Sequence, residues 1–202
     1  MAQLTIYGTP ASRTVRVLWM AEELGLDYEN IPVHFAGEAQ QQEFLAINPN
    51  GRIPVIDDDG LIVWESMAIN LYLARKHGGD LAPRDLAEES GAMQWSFWAI
   101  TECEKALLDA LVLGLGLFGV EKNQAKAQSN VKHLERPFTV LENLLSNRDW
   151  LLGDRFTVAD LNVAGVLVWV QMAGLDISRW PRLQGWLERC LARPVAARVF
   201  AR

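Results

Sequence analysis

The sequence predicts two domains of different class, a mixed α/β domain over residues 1–80 and an all-helical domain over residues 86–202. Three observations carry that prediction. Strand-type and helix-type hydrophobic periods alternate up to about residue 78, strand signals vanish beyond about residue 86, and the breaker-rich "GGDLAPRD" lies between. With 202 residues, 50% of them hydrophobic, the chain is long enough for one large domain or two small ones, each with its own core.

The first element, "LTIY", is a short β-type run, and Val15, Leu18 and Trp19 at i, i+3, i+4 then mark one face of a helix. "ENIPV" follows as a second strand and completes a β-α-β unit. A polar stretch around "GEAQQQEFLAI" leads to "IPVID" and "LIVW", joined through Asp58, Asp59 and Gly60. An Asp-Gly pair supplies the positive φ angles that a tight hairpin turn needs, so these two runs form a hairpin. Ile69, Tyr72, Leu73 and Lys76 mark an amphipathic helix that Gly78-Gly79 ends. The order of the first domain is therefore β-α-β-α-β-β-α.

In the second domain "DLAEESGAMQWSFWAITECEKALLDALVLGL" reads as one long helical segment. Ala127, Val131, Leu134, Phe138, Leu141 and Leu145 recur at intervals of three and four and give another. Pro137 within it removes a backbone donor and crowds the carbonyl four residues back, which predicts a kink or a break near Arg136. "LNVAGVLVWVQMAGL" is shorter than the roughly 20 residues a bilayer span needs and contains Asn162 and Gln171, so it reads as a buried core helix. Thr157 and Asp160 form a T-x-x-D capping box at its start, with Phe156 placed as an apolar staple.

Composition narrows the partners. Nineteen Lys and Arg against 25 Asp and Glu leave a net charge of -6, and no basic run tracks a phosphate backbone, so nucleic acid and anionic membranes are excluded as expected partners. The start "MAQLTIYG" has neither a cationic nor an apolar leader segment, which argues against secretion and makes the cytoplasm the expected location. Cys103 and Cys190 sit far apart in helical patterns and read as buried spectators. His34, His77 and His133 share no ligand spacing, so no metal is expected.

Three short stretches hold candidate chemistry. "TPAS" places the hydroxyls of Thr9 and Ser12 at the turn between the first strand and the first helix, where they either cap the helix or face a ligand. Pro54 opens an apolar interior strand, where a proline is expected only if its geometry is used; a cis Ile53-Pro54 bond is one such use, although energetics alone favour trans. Ser66 is a good N-cap for the helix carrying Ile69, and that helix start offers unpaired N–H donors in a positive potential, suited to a carboxylate. A buried or half-buried Glu65 beside it would accept from a ligand ammonium.

Together, "YGTPASRTVRVLWMAEELGLDYE", "FLAINPNGRIPVIDDDGLIVWESMAINLYLARKH" and "DWLLGDRFTVADL" resemble the cytosolic glutathione S-transferases, bacterial type with a phi/theta-like serine motif, over nearly the whole chain. The resemblance implies a thioredoxin-like N-terminal domain that binds glutathione and a C-terminal helical bundle domain that shapes a pocket for a small hydrophobic electrophile. It also implies a homodimer, with glutathione as co-substrate and no other cofactor. Residue by residue, Ile53 resembles the position whose backbone pairs with the cysteinyl part of glutathione, next to the family's cis-proline at Pro54. Ser66 and Glu65 resemble the pair holding the γ-glutamyl carboxylate and ammonium. Arg52 stands where relatives carry Gln or Lys near the tripeptide. Plant phi-type members have a His-Lys pair after "GE" for the glycyl carboxylate, whereas Ala39 and Gln40 stand here, which leaves Gln40 as the candidate.

A thiol of pKa about 8.5 is mostly protonated at neutral pH, and one hydrogen bond to the thiolate, roughly 1.5 to 3 kcal/mol, lowers that pKa by about 1 to 2. One hydroxyl at the turn therefore suffices. Ser12 aligns with the serine of phi-type "PAS" sequences and is the first choice; Thr9, where bacterial relatives carry threonine or cysteine, is the second, with Arg13 as a supporting donor. The implied reaction is glutathione conjugation, with peroxidase or disulfide reductase activity as a side reaction. The competing readings are a non-catalytic interaction protein and a glutathione-dependent isomerase or dehalogenase. Trp95, Trp98 and Glu102 fall on the helix where the family builds its electrophile pocket, but their spacing fits core or interface equally, and none is counted as catalytic.

Overall fold

In the computed structural model, which describes residues 4–201, four short strands form one mixed sheet in the order β2-β1-β3-β4. The first three residues of "MAQLTIYG" lie outside the described residues. β1 (Leu4–Tyr7) runs parallel to β2 (Tyr28–Ile31) and antiparallel to β3 (Val55–Asp58), and β3 pairs antiparallel with β4 (Leu61–Trp64). β2 begins earlier than the sequence suggests and stops before Pro32, which has no N–H to donate. Asp58 faces Leu61 in the β3-β4 ladder, so the hairpin loop is the two residues Asp59 and Gly60, at φ 56° and 88°. Both angles are positive, as a type I′ turn requires.

α1 (Thr14–Glu23) and α3 (Ser66–His77) cover the sheet, with a 3-10 turn (Glu38–Gln40) and the short α2 (Gln42–Leu45) between β2 and β3. α1 is buried more widely than its apolar face suggests: Leu18 and Trp19 are enclosed, but so are Val17, Met20 and Ala21, and Val15 is only half-buried. This is the thioredoxin-like domain that the resemblance implies.

One charged cluster braces the hairpin. The buried Asp58 carboxylate accepts from Tyr72 Oη at 2.7 Å and Lys76 Nζ at 2.5 Å. Burial alone would raise its pKa, but the bonds from Lys76 and Tyr72 outweigh that and hold it below the ordinary 3.8. A depressed carboxylate pKa means that the unfolded chain takes up the proton first, so this stabilisation is full above pH 3.8 and is lost as pH falls through the folded value. The stability gap between wild type and Asp58→Asn, followed by urea unfolding across pH, is accordingly expected to be widest at pH 7 and to close in acid.

The second unit, residues 84–192, is all helix. α4 (Leu86–Trp98), a π-helical turn (Ala99–Glu104) and α5 (Lys105–Leu115) follow one another without interruption, as the single long segment suggests. α6 (Gln124–Ser129) and α7 (Val131–Leu144) come next, and α7 passes through Pro137 without breaking. The missing donor there is outweighed by the burial of Val131, Leu134, Phe138 and Leu141 along one face. α8 (Val158–Met172) is the buried core helix, and α9 (Pro181–Leu191) closes the unit.

Residues 193–201 group with the first unit, although the sequence reading places everything from 86 to 202 in the second. The physical reason is α10 (Pro194–Phe200), which lies along α1. Arg193 forks onto Glu23 at 2.8 and 2.6 Å, Arg198 reaches Glu22 at 2.6 Å, and the Phe200 ring meets Trp19 edge-on at 5.5 Å.

Candidate functional site

The ladder brings the three candidate stretches to one end of the sheet. Val55 pairs with Tyr7 on one side and Trp64 on the other, so the turn after β1, the approach to β3 and the exit from β4 are neighbours. Thr9, Ser12 and Arg13 lie on the first of these, Ile53 and Pro54 on the second, and Glu65 and Ser66 on the third. The N-termini of α1 and α3 both open there, adding the partial positive charge of their first-turn N–H groups.

The turn after β1 is tightly built. Gly8 has φ 132°, and a Cβ placed on it would stand 2.1 Å from Thr14 Oγ1 and 3.2 Å from Ile53 Cβ, so only glycine lets the turn lie against these neighbours. Ser12 N and Oγ both donate to the Thr9 carbonyl, at 3.2 and 2.7 Å. Ser12 Oγ in turn accepts from Thr14 N at 3.1 Å and lies 2.9 Å from Thr14 Oγ1. The Thr9 hydroxyl is half-buried and makes no hydrogen bond with any described residue. Arg13 is the N-cap residue of α1 but lends it no side-chain cap bond.

Ile53 is buried in a cluster with Val33, Ala39, Phe44 and Val55, and the Ile53-Pro54 peptide is cis. Its own backbone N–H and C=O find no hydrogen-bond partner among the described residues, because the β3 ladder begins two residues later. An unpaired backbone segment of this kind is free to pair with a ligand backbone. Its approach is held by two amides. Gln40 Nε2 donates to Gly51 O at 2.7 Å, and the buried Asn48 donates through Nδ2 to Arg52 O at 2.7 Å, leaving the Arg52 side chain exposed.

At the third stretch the structure corrects two expectations. Ser66 is the first residue of α3 rather than its N-cap; Glu65 holds the cap position, at φ 74°, without a side-chain cap bond. Glu65 is also exposed rather than buried or half-buried, since a positive φ at the end of an edge strand turns its side chain outward. Ser66 is buried, and its Oγ lies 3.5 Å from Nη1 of Arg16.

Arg16, Thr14 and Asn48 are the residues that the sequence reading missed. Arg16 is 1% exposed and sits inside α1, where it adds a buried positive charge beneath Ser66, and Asn70 Nδ2 donates to its carbonyl at 3.3 Å. The only signal for it is an arginine placed within an otherwise apolar helical run. Asn48 is legible as the Asn of "NPNG", a turn-forming type. Tyr7, next to the site, packs edge-on to Phe44 at 6.1 Å, and burial, then Asp57 and Glu29, push its phenol pKa up, so it stays neutral. Cys103 is buried in the π-turn, and burial, helped by Glu102, pushes its thiol well up, so it supplies no thiolate. Among the described residues no group of three or more ligand-type side chains gathers, and no helix is long and apolar enough to cross a membrane.

Comparison with known proteins agrees with this arrangement. The family model described as glutathione S-transferase, N-terminal domain, matches residues 2–75, and that of the C-terminal domain matches residues 91–194. The chain is 32% identical to glutathione S-transferase GstB of Escherichia coli over 97% of both sequences, and 33% identical to glutathione S-transferase 3 of Zea mays over 100% of this chain and 95% of that protein. Among solved structures, it superposes on a theta class glutathione S-transferase from Xanthomonas axonopodis pv. citri with glutathione bound. The TM-score there is 0.88 at 29% identity, covering 100% of this chain and 99% of the other.

Proposed function

Because the chain belongs to the glutathione S-transferase family, we propose that it is an enzyme joining the thiol of glutathione to small hydrophobic electrophiles. The observation that carries this reading is the bare backbone of Ile53, flanked on one side by the hydroxyl turn and on the other by the start of α3. A short peptide laid along Ile53 pairs with its N–H and C=O, which puts a central cysteinyl sulfur toward Thr9 and Ser12. Its γ-glutamyl carboxylate meets Ser66 and the first N–H groups of α3, above the buried charge of Arg16, while exposed Glu65 takes the ammonium. Gln40 and Arg52 lie on the glycyl side, and the second amide hydrogen of Gln40 is left for that carboxylate. Arg13 adds charge at the start of α1.

In the reaction the glutathione thiol gives its proton to water, and the thiolate is held by a hydroxyl and the two helix starts. It then attacks the electrophile. With a chloronitroaromatic the S–C bond forms as chloride leaves with its bonding pair. The second, helical unit supplies the surface for the apolar partner. A homodimer working in the cytoplasm completes the reading, and within the first unit the exposed apolar Leu61, Ile62 and Trp64 of β4 are the kind of residues a second copy covers.

The test is conjugation of a chloronitroaromatic by the purified protein, run beside retention on immobilised glutathione. Wild type is expected to turn over and be retained, and Glu65→Ala to bind glutathione at least about tenfold more weakly, because a hydrogen bond to a charged group is lost. A wild type that neither binds nor conjugates contradicts the proposal.

A further inference from the structure

We infer that the cleft between the end of α8, the loop that follows it and α9 is a second binding site, and that its ligand is a small organic cation, an amine on an aromatic or aliphatic body. None of its lining residues belongs to the candidate site described above, and the inference stands apart from the functional reading.

The cleft lies wholly within the second unit and holds about 400 Å³, a volume that suits a small molecule. Val170, Leu175, Ile177 and Leu187 line it, and all four are buried, so its floor is apolar. Its charged lining has one sign: Asp176 and Glu188, both exposed, with no lysine or arginine between them. Three arginines occupy the same stretch of chain, but each is turned to another acceptor. Arg179 pairs with Glu135 at 2.8 Å, Arg182 lies 3.9 Å from Glu142, and Arg189 donates to Asp149 O at 3.0 Å with its guanidinium over the Trp150 ring. Neither Asp176 nor Glu188 forms an ion pair with a described residue.

The walls are held without a ligand. Gln124 Nε2 donates to the carbonyls of Ala173 and Gly174, at 2.9 Å each, and Gln128 donates to Asp176 O at 3.1 Å while accepting from Asp176 N at 2.9 Å. Ser178 N donates to Asp176 Oδ1 at 2.9 Å, and the bonds from Ser178 hold that carboxyl below its ordinary 3.8, so it is charged at neutral pH. Gln184 Nε2 donates to Glu188 Oε1 at 2.9 Å. Each carboxylate is thus anchored by a neutral donor, which fixes its place and leaves its charge uncompensated. Among the described residues no third ligand-type side chain joins them, so the pair is not a divalent metal site. An ammonium group answers the two carboxylates, and an apolar body answers the floor. Because exposed ion pairs are screened by water and salt, the floor supplies most of the affinity and the charges select the ligand.

The experiment titrates the purified protein with phenethylamine and follows backbone amide chemical shifts, beside 2-phenylethanol and 3-phenylpropanoate, which keep the ring but are neutral and anionic. Phenethylamine is expected to shift the amides of residues 175–178 and 184–188 with a dissociation constant of about a millimolar, the range open to so small a ligand. The alcohol is expected to bind severalfold more weakly and the acid not measurably. Asp176→Asn combined with Glu188→Gln, which keeps shape and floor, is expected to weaken the amine about tenfold and leave the alcohol unchanged. The absence of a saturable shift at these residues overturns the inference. So does an amine that binds no better than the alcohol, or a double variant that binds the amine as wild type does.

Discussion

Gly8→Ala is expected to remove measurable glutathione-dependent turnover and to destabilise the first unit by about 2–4 kcal/mol, combining overpacking with backbone strain. The added Cβ stands 2.1 Å from Thr14 Oγ1, a distance no real pair of such atoms adopts, and φ 132° is a conformation that L side chains rarely take. Relief requires Thr14 to rotate or the turn to lift. Rotation of Thr14 releases Ser12 Oγ, and lifting the turn moves Thr9 away from Ile53, whose Cβ is itself 3.2 Å from the new atom. Either path displaces the hydroxyl turn proposed to hold the thiolate, and a misplacement of about 1 Å at a reacting centre costs on the order of a hundredfold in rate. Steady-state kinetics with urea unfolding separate the two effects: a variant that is less stable but fully active when folded shows that the turn does not position chemistry.

The second large effect concerns stability alone. Asp160→Ala is expected to cost about 3–5 kcal/mol, because buried donors are left unmet and the cap of α8 is lost. Oδ1 of Asp160 accepts from Leu151 N at 2.9 Å and from Trp186 Nε1 at 3.0 Å, and Oδ2 accepts from Thr157 N at 3.0 Å and Thr157 Oγ1 at 3.1 Å. Burial pushes the Asp160 carboxyl up, and these four bonds pull against that. The side chain thus ties the loop at Leu151, the start of α8 and the Trp186 ring of α9 into one buried node. Asp160→Asn, which keeps one acceptor oxygen but turns an amide toward the two donors that the other oxygen served, is expected to lose less. Urea unfolding monitored by tryptophan fluorescence orders the three proteins, and equal stability of Asp160→Ala and wild type refutes the node.

Most of the fold was legible in the sequence because period and punctuation agreed: Asp59-Gly60 marked the hairpin, Gly78-Gly79 the end of α3, and the T-x-x-D pattern the start of α8. The failures have a common cause, which is that local rules do not weigh tertiary burial. Pro137 argued for a break, and the apolar face of α7 carried the helix through it. Residues 193–201 follow the helical pattern of the second domain but dock on α1 through Arg193, Arg198 and Phe200. Arginine is rarely buried, so nothing in the residue type foretells that Arg16 is enclosed beneath Ser66. Ser66 was expected as a cap because no residue preference foretells a positive φ at Glu65. The candidate stretches themselves were recognisable, while the contacts of the Ser12 hydroxyl with Thr9 and Thr14 depend on a turn geometry that residue types do not encode.

The central claim is that Ile53, Ser66 and Glu65 read the backbone and γ-glutamyl end of glutathione at one end of the sheet. The most direct measurement compares calorimetric titration of the protein with glutathione and with cysteinylglycine, which keeps the thiol and the glycyl end but lacks the γ-glutamyl group. Loss of the bonds to its carboxylate and ammonium, roughly 1.5 to 3 kcal/mol each, predicts binding at least about a hundredfold weaker for cysteinylglycine. Equal affinity for the two would contradict the account.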